Sequence, residues 1–385
     1  MKAGQSHTRQ STSTAWPWRP GNEFRLLHEN GEFFSRMLAA IDEALEYVLL
    51  EMYLVNTCQL ATRFCDALIR AQARGARTCV LFDGFGALGF KGADRRRLTD
   101  AGVELRFFNP LRLRNRVAGN LLRDHRKLLV ADGRVAFVGG AGLTDEFAPG
   151  ARKGAWRELM VEITGPVVGD WQQVFAATWT RCGSPLGLAE RQPAGERYGH
   201  LGRVSLSEAR QRSELASDVL QRIDGASTRA WIMSAYFVPS RRFRTALRRA
   251  ARRGVDVRLL LPGVRTDHPW VRQAARRFYG KLLRNGVKIW EYQPSMLHAK
   301  MTLCDDWVSV GSANLDRWSF RWNLEANQEI DSAAVADTAR ALFEADFVAS
   351  RVVSRHNWGR RGWLDRVREN IAGRLDRLLD SWRRP

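Results

Sequence analysis

Two segments of this chain of 385 residues follow the same order of strand-like and helix-like runs. The first pair of matching runs is ALIRAQARGARTCVLF at 67–82 and ALRRAARRGVDVRLLL at 246–261; the second is LTDAGVELRFFNP at 98–110 and LLRNGVKIWEYQP at 282–294. In the first pair, a helix with apolar residues at helical spacing ends at Gly75 or Gly254, and a short buried strand follows. The repeat constrains the fold because both copies must form the same supersecondary units.

The alternation of strand and helix in each copy predicts an α/β fold with a largely parallel sheet covered by helices. The stretch 185–203 is rich in Pro and Gly and poor in strand-forming residues, so it separates the two copies. We therefore predict a first half at 22–184, a second half at 204–350, and a tail at 351–385 that matches nothing in the first half.

A shorter repeat inside these halves carries chemically reactive side chains. The two copies are His125-Arg-Lys127-Leu-Leu-Val-Ala-Asp132 and His298-Ala-Lys300-Met-Thr-Leu-Cys-Asp305, both of the form H-x-K-x-x-x-x-D. The whole chain has only 7 His, so two copies in register within a repeat are not expected by chance. A turn of small residues follows each copy, GGAG at 139–142 and GSAN at 311–314.

These residue types suit phosphoryl transfer. Histidine and lysine two residues apart on a strand point to the same face, so one pair from each half would meet across a pseudo-twofold axis. One neutral imidazole can attack phosphorus, and a protonated one can protonate the leaving alkoxide. The two lysines, with the Ser312 hydroxyl and the Asn314 amide, would neutralise the non-bridging oxygens. We expect such a site to need no metal ion and no cofactor.

The charge balance narrows the class of partner. Lys and Arg number 61 against 41 Asp and Glu, a net charge of +20. This excess favours nucleic acid, phospholipid headgroups or a phosphorylated substrate. The 5 cysteines are scattered without a C-x-x-C pair, which disfavours a disulfide framework or a structural zinc site and favours a reducing compartment.

Hydropathy predicts a soluble or peripheral protein. The first 20 residues contain no apolar core of a secretory signal. The most lipophilic stretch, 47–55, reaches about half the length of a membrane span and contains Glu51.

The paired motifs resemble the signature of the phospholipase D superfamily, two H-x-K-x4-D copies each followed by G-[GS]-x-N. The resemblance extends over about 22–350 and implies two α/β halves packed side by side, with the active site at their interface. It implies that His125 is the nucleophile and His298 the general acid and base. It also implies that Asp132 and Asp305 are structural and anchor the loop.

Members of this superfamily orient each catalytic imidazole with an acidic residue on a later strand. The candidates are Glu158, which follows His125, and Glu325, which follows His298, each expected to serve the histidine of its own half. A carboxylate on Nδ1–H would fix the tautomer and leave Nε2 free to attack, whereas a surface position is the alternative for either residue. The first half departs from the pattern because Gly142 stands in place of the usual Asn.

The runs at 131–147, 155–168 and 310–320 are similar to bacterial cardiolipin synthases, and we expect the B type, without N-terminal spanning helices. The resemblance implies transfer of a phosphatidyl group between two phosphatidylglycerols through a phosphatidyl-histidine. The expected partners are anionic phospholipid and the membrane surface, at the cytoplasmic face of the bacterial inner membrane. A hydrolytic phospholipase D stays open as an alternative; a nuclease of the same superfamily, and so a nucleic-acid partner, is disfavoured.

Several segments could contact a membrane. The Arg-rich stretches at 111–116, 241–253 and 272–277 could lie against anionic lipid or form solvated helix faces. In the tail, apolar residues from Trp363 to Trp382 recur at helical spacing opposite arginines. This pattern predicts a basic amphipathic helix, either an interfacial anchor or a helix packed on the body or on a partner. The sequence indicates neither the second lipid nor the oligomeric state.

Overall fold

Strands and helices alternate along most of the chain. The computed structural model describes residues 15–112, 117–151, 154–189, 193–197, 199–209, 213–363, 369 and 371. The strands are β1 (Arg19–Leu27), β2 (Tyr47–Met52), β3 (Arg77–Asp83), β4 (Glu104–Phe108), β5 (Arg123–Asp124), β6 (Lys127–Ala131), β7 (Val135–Gly139), β8 (Met160–Thr164), β9 (His200–Glu208), β10 (Arg229–Met233), β11 (Asp256–Pro262), β12 (Lys288–Tyr292), β13 (Met301–Cys304), β14 (Trp307–Gly311), β15 (Asn323–Asp331) and β16 (Ser350–Val353). The helices are α1 (Asn30–Glu43), α2 (Gln59–Ala73), α3 (Gly92–Asp100), α4 (Val167–Arg181), α5 (Glu214–Gly225), α6 (Arg241–Arg252), α7 (Pro269–Arg276), α8 (Tyr279–Leu283), α9 (Arg317–Trp322), α10 (Ala333–Val348) and α11 (Arg355–Gly359).

These strands form one continuous sheet through both halves. Its order is β16-β12-β11-β10-β13-β14-β15-β9-β1-β8-β7-β6-β2-β3-β4, and β5 pairs with β15 off this path. Counted outward from the antiparallel pair of β9 and β1 at the centre, the strand order of the two halves is the same, except that β16 adds one edge strand to the second half. The α/β repeats therefore lie side by side about a pseudo-twofold axis, which confirms the predicted fold class.

The prediction of a largely parallel sheet is wrong. Parallel neighbours along the path are confined to β2-β3-β4 and β10-β11-β12, where helices form the crossovers. From the histidine motifs onward, tight turns connect β6 to β7 and β13 to β14. Such short turns can join only antiparallel strands, so the sheet is mixed.

Helices cover both faces of the sheet. Side chains alternate along β2, with Leu49 in a central core and Leu50 in a second core on the opposite face. The central core contains α4 and α10 and strand residues of both halves. One bond across it joins Trp171 Nε1 of α4 to Gln328 Oε1 of β15, at 2.8 Å. On the other face of the sheet, the helices of the first half and those of the second half form two separate cores. The central core is therefore the one that the two halves share.

The predicted helix ends are confirmed. Gly75 and Gly254 follow the C-caps of α2 and α6 with φ of +96° and +95°, a conformation that glycine adopts without strain. The first strand of each half and the last strand of the second half extend past the predicted boundaries, since β1 begins at Arg19, β9 begins at His200 and β16 ends at Val353.

The amphipathic helix predicted for the tail lies almost wholly outside the described residues. Among the helices that are described, none combines the length and the apolar character that a bilayer crossing requires. Of the Arg-rich stretches, 241–253 forms α6 and its C-cap, and 272–277 lies on α7 and its C-cap.

The motif aspartates tie each hairpin to the start of a neighbouring strand. Asp132 and Asp305 follow β6 and β13 with φ of +51° and +49°. The Asp132 carboxylate accepts backbone N–H bonds from residues 45–47, at 2.8–2.9 Å. The Asp305 carboxylate accepts the backbone N–H groups of residues 227–229, and the hydroxyls of Ser227 and Thr228 also donate to it. These contacts support the structural role that the resemblance implies.

We predict that Asp305→Ala destabilises the protein by about 2 kcal/mol at pH 7, because five donors lose a charged acceptor. Burial raises the pKa of Asp305, but these donors outweigh burial and hold it well below its usual range. The stabilisation is therefore fully present above the unfolded-state pKa and is lost as pH falls from there through the lower folded-state pKa, so the difference between variant and wild type should begin to shrink below about pH 4. Urea unfolding measures both effects, and Asp306→Ala at the exposed neighbouring position is the control. Equal stability of Asp305→Ala and wild type at pH 7 would contradict the anchoring role.

Candidate active site

A pocket of about 680 Å³ lies where the parallel strands of both halves end. Its wall includes Tyr53 and Phe85, after β2 and β3, and Tyr236 and His268, after β10 and β11. Loops at the carboxyl ends of parallel strands commonly form binding sites. Both motif histidines, and Lys127, also line this pocket.

Backbone pairing with the second half fixes His125. The preceding strand β5 pairs in parallel with the start of β15, and the His125 N–H donates to Leu324 O at 3.0 Å. Its side chain is mostly buried, and Nδ1 lies 3.0 Å from Glu325 Oε2. With Nδ1 held by this carboxylate, Nε2 is the nitrogen left for a ligand in the pocket.

His298 has the reciprocal arrangement with the first half. The His298 N–H donates to Arg157 O at 2.8 Å, beside a parallel bridge between Arg157 and Leu297. Its Nδ1 lies 2.5 Å from Glu158 Oε2. The rings of Phe147 and Trp156, also from the first half, lie 5.3 and 5.2 Å from the His298 ring.

The expected pairing of each glutamate with the histidine of its own half is therefore wrong. Glu325 holds His125, and Glu158 holds His298. Each histidine lies just before its strand, β6 or β13, and the residue that precedes it pairs with the opposite half. Asp124 pairs with Leu324, next to Glu325, and Leu297 pairs with Arg157, next to Glu158. Position in the sequence contains no signal for this exchange, because it depends on how the two halves dock.

The lysines lie beside the histidines. Lys127 Nζ donates to His125 O at 2.6 Å and lies 5.0 Å from the centre of the Tyr53 ring. Lys300 Nζ donates to His298 O and lies 3.1 Å from His298 Nε2. The predicted i, i+2 placement along one strand is not what the structure has, since both histidines precede their strands.

Burial sets the protonation of the site. It lowers the pKa of His125, and it lowers that of His298 to about 4, where Lys300 adds to the effect. Burial likewise lowers the pKa of Lys127 to about 7. For Glu158 and Glu325, burial opposes ionisation but the neighbouring cations outweigh it, so both pKa values are lowered. In the free protein at neutral pH, two neutral imidazoles therefore face two ionised carboxylates.

The small-residue turns differ between the halves. The Ser312 hydroxyl donates to Glu325 Oε2 at 2.6 Å and accepts from the Ala326 N–H, so it supports the carboxylate rather than facing the pocket as predicted. Asn314 does line the pocket. At the matching positions of the first half, a Cβ on Gly140 would lie 2.5 Å from Glu158 Oε2, and one on Gly142 would lie 2.9 Å from Leu54 O. Packing therefore explains why no asparagine stands at 142.

Sequence reasoning missed the aromatic wall of the pocket. The Tyr53 ring lies 4.6 Å from that of His125, and the Tyr236 ring lies 6.4 Å from that of His298. The two tyrosines occupy matching places in the runs YVLLEMYLV and AWIMSAYFV, which is a signal that could have identified them. In the parts of the chain that the structure describes, no group of three or more His, Cys, Asp or Glu side chains could hold a metal ion.

Comparison with known proteins places the chain in a family. A family model described as "Cardiolipin synthase, PLD-like domain" matches it twice, at residues 37–179 and 219–347. The chain belongs to this family. Both matches include one histidine motif and its following small-residue turn.

Curated relatives and a solved structure agree with this assignment. Cardiolipin synthase A of Pseudomonas putida is 34% identical over 370 residues, covering 94% of this chain and 76% of that protein. Cardiolipin synthase B of Salmonella typhimurium is 34% identical over 333 residues, covering 84% and 80%. Because a relative of the A type and one of the B type are equally identical to this chain, the assignment to the B type stays a prediction. The crystal structure of phosphatidylserine synthase from Haemophilus influenzae has a TM-score of 0.74 at 13% identity and covers 95% of this chain and 96% of that one, which shows the shared fold.

The crossed pairing predicts which histidine responds to each glutamate. Because the Glu325 carboxylate raises the pKa of His125 against the effect of burial, Glu325→Gln should lower the His125 pKa further. The His298 signals should move far less. NMR titration of protein labelled with ¹⁵N-histidine measures both, and Glu158→Gln is the reciprocal control. A shift confined to His298 in Glu325→Gln would contradict the pairing.

The lowered pKa of Lys127 predicts a basic limb in the pH profile. If the Lys127 ammonium neutralises a phosphate, kcat/KM should fall as pH rises through about 7, where the free protein loses this proton. The corresponding fall in kcat should occur at a higher pH, since a bound phosphate anion raises the pKa of Lys127. Lys127→Arg should remove the limb because a guanidinium stays protonated. A value of kcat/KM that is constant from pH 6 to pH 9 would show that this proton is not required.

Proposed function

We propose that this protein is a phosphatidyltransferase that joins two phosphatidylglycerols into cardiolipin and releases glycerol. The observation that carries the proposal is the pair of buried imidazoles in one pocket, each held at Nδ1 by a carboxylate. Relatives named cardiolipin synthase over most of the chain supply the substrate class.

In the first step, His125 Nε2 attacks the phosphorus of phosphatidylglycerol. A P–N bond forms, the P–O bond to the headgroup glycerol breaks, and the His298 imidazolium gives its proton to the departing alkoxide. The pKa of His298 is about 4 in the free protein, and the bound phosphate anion raises it so that the imidazole can carry this proton. Glu158 stabilises the cationic form.

In the second step, a headgroup hydroxyl of another phosphatidylglycerol attacks the phosphatidyl-histidine. His298 Nε2 removes the hydroxyl proton, the new P–O bond forms, and the P–N bond to His125 breaks. The products are cardiolipin and an enzyme in which His298 is again the imidazolium, as at the start of the first step. The lysine ammonium groups and the Asn314 amide neutralise the phosphate oxygens in both steps, so the proposed chemistry uses no metal ion.

The pocket lining favours a lipid acceptor over water. Leu54, Phe147, Trp156, Val238 and Val271 line the pocket around the histidines. An apolar wall excludes water and so protects a phosphatidyl-histidine from hydrolysis to phosphatidic acid. The same wall suits acyl chains and does not suit the polar backbone of DNA, which disfavours the nuclease alternative despite the charge of +20.

We further propose that the protein acts at the cytoplasmic face of the bacterial inner membrane as a peripheral protein. Its substrate, a diacyl phospholipid, is held in bilayers, and the basic charge favours an anionic leaflet.

The experiment that tests this function is incubation of the purified protein with phosphatidylglycerol vesicles, with the lipids resolved by mass spectrometry. We expect cardiolipin and an equal amount of free glycerol. Phosphatidic acid alone would make the protein a hydrolase, and no turnover would contradict the proposal.

His125→Ala and His298→Ala should each lower turnover by at least about a thousandfold, because each step needs both imidazoles. His356→Ala changes an exposed histidine outside the pocket and should leave turnover unchanged. His125→Ala and His298→Ala each leave a buried glutamate without its imidazole, so both should unfold at a lower temperature than His356→Ala, and thermal unfolding must show that they are folded at the assay temperature. Near-normal turnover in either His125→Ala or His298→Ala would contradict the two-histidine mechanism.

A further inference from the structure

Exposed apolar side chains gather around the mouth of the active-site pocket. Phe85, Leu111 and Trp318 line the pocket and are 48%, 48% and 43% exposed. Leu88 lies in the same loop as Phe85 and is 58% exposed. Val264 and Trp270 flank the lining residues Asp267 and His268 and are 68% and 62% exposed. We call these six residues the rim.

The rim has contributions from equivalent loops of the two halves. Phe85 and Leu88 follow β3, and Val264 and Trp270 follow β11, which holds the same place in the second half. The pseudo-twofold relation between the halves therefore brings one apolar loop to each side of the pocket. Because the two loops lie on either side of one opening, a flat surface such as a bilayer can contact both of them at once.

Arginines are interspersed with the apolar rim. Arg112 and Arg265 are exposed next to Leu111 and Val264, and Arg317 and Arg321 line the pocket. The two carboxylates in the same wall already have partners, since Tyr236 donates to Asp267 and the Ser319 N–H donates to Asp316. Apolar side chains with arginines among them are the composition of a surface that binds anionic bilayers.

We propose that the rim is the surface by which this protein docks on an anionic phospholipid bilayer, with the pocket mouth facing the lipid. The inference rests on the proposed function, because a phospholipid substrate must leave the bilayer through this mouth. Leu88, Val264 and Trp270 enter the interface, and the neighbouring arginines contact the headgroups. Docking in this orientation delivers phosphatidylglycerol to the histidines without full transfer of its acyl chains through water.

The test uses the full chain with Leu88→Ser, Val264→Ser and Trp270→Ser combined. None of the three residues lines the pocket, and each is more than half exposed, so folding and chemistry should persist. The matched control combines Leu45→Ser, Val348→Ser and Val352→Ser, three apolar residues that are 66%, 89% and 54% exposed and that neither line the pocket nor lie next to a lining residue in the sequence. Thermal unfolding checks that both variants fold.

Two readouts are compared for the wild type and both variants. The first is co-sedimentation with vesicles of equal phosphatidylglycerol and phosphatidylcholine. The second is transfer activity on a short-chain phosphatidylglycerol below its critical micelle concentration. We expect the rim variant to bind vesicles at least tenfold more weakly and to retain activity on the short-chain lipid. The control variant should match the wild type in both readouts.

Each other outcome has a separate meaning. Wild-type vesicle binding by the rim variant would overturn the docking surface and would favour another segment, such as the tail at 351–385. If the rim variant lost transfer activity on the short-chain lipid to the same extent as it lost vesicle binding, the docking surface would also be overturned. That result would mean that these residues act in the reaction itself. Absence of transfer by the wild type on either lipid would contradict the proposed function itself.

A gain-of-binding variant keeps the test independent of stability. Leu88→Trp enlarges an exposed apolar side chain and should strengthen vesicle binding several-fold, because tryptophan partitions favourably into the bilayer interface. Unchanged binding by this variant would argue against contact between Leu88 and the bilayer.

Discussion

The bond between a histidine of one half and a glutamate of the other is the interaction on which the site depends. Glu158 and Glu325 are fully buried, and a buried carboxylate is stable only where cations and donors compensate for lost water. The imidazole and lysine that compensate for each of them belong to the opposite half. Neither half alone can therefore form a complete site. The continuous sheet through β9 and β1 holds the two partners of each pair in register.

The pseudo-symmetry stops at the small-residue turns, and this gives the two imidazoles different surroundings. The Glu325 carboxylate receives a bond from the Ser312 hydroxyl, whereas Gly140, at the matching position, has no hydroxyl and packs so close to Glu158 that even a Cβ would lie 2.5 Å from its Oε2. Phe147 and Trp156 pack on the His298 ring, whereas Tyr53 lies next to His125. Two histidines in identical environments would titrate alike, and a nucleophile and a proton donor need different environments. The divergence of the repeat is thus part of the chemistry that we propose.

The repeat and the H-x-K-x4-D motifs predicted the α/β halves and the histidines and lysines that meet in the structure, and the family resemblance supplied the two glutamates as candidates. Local patterns predicted local features well, such as the ends of α2 and α6 at Gly75 and Gly254. They failed where docking of the halves decides the outcome. The exchange of glutamates depends on pairing of β5 with β15, a strand of two residues that has no sequence signature. The place of Ser312 likewise depends on where Glu325 lies, and the rim is visible only once loops from both halves surround one pocket.

The most direct test of the central claim is to identify the covalent intermediate. Wild-type protein is mixed with short-chain phosphatidylglycerol, quenched within milliseconds under alkaline conditions that preserve phosphohistidine, and digested for mass spectrometry. We predict that the phosphatidyl mass appears on the peptide that contains His125. The same adduct should be absent from the peptide that contains His298. A modification found only on His298, or cardiolipin formed with no modified histidine, would contradict the account.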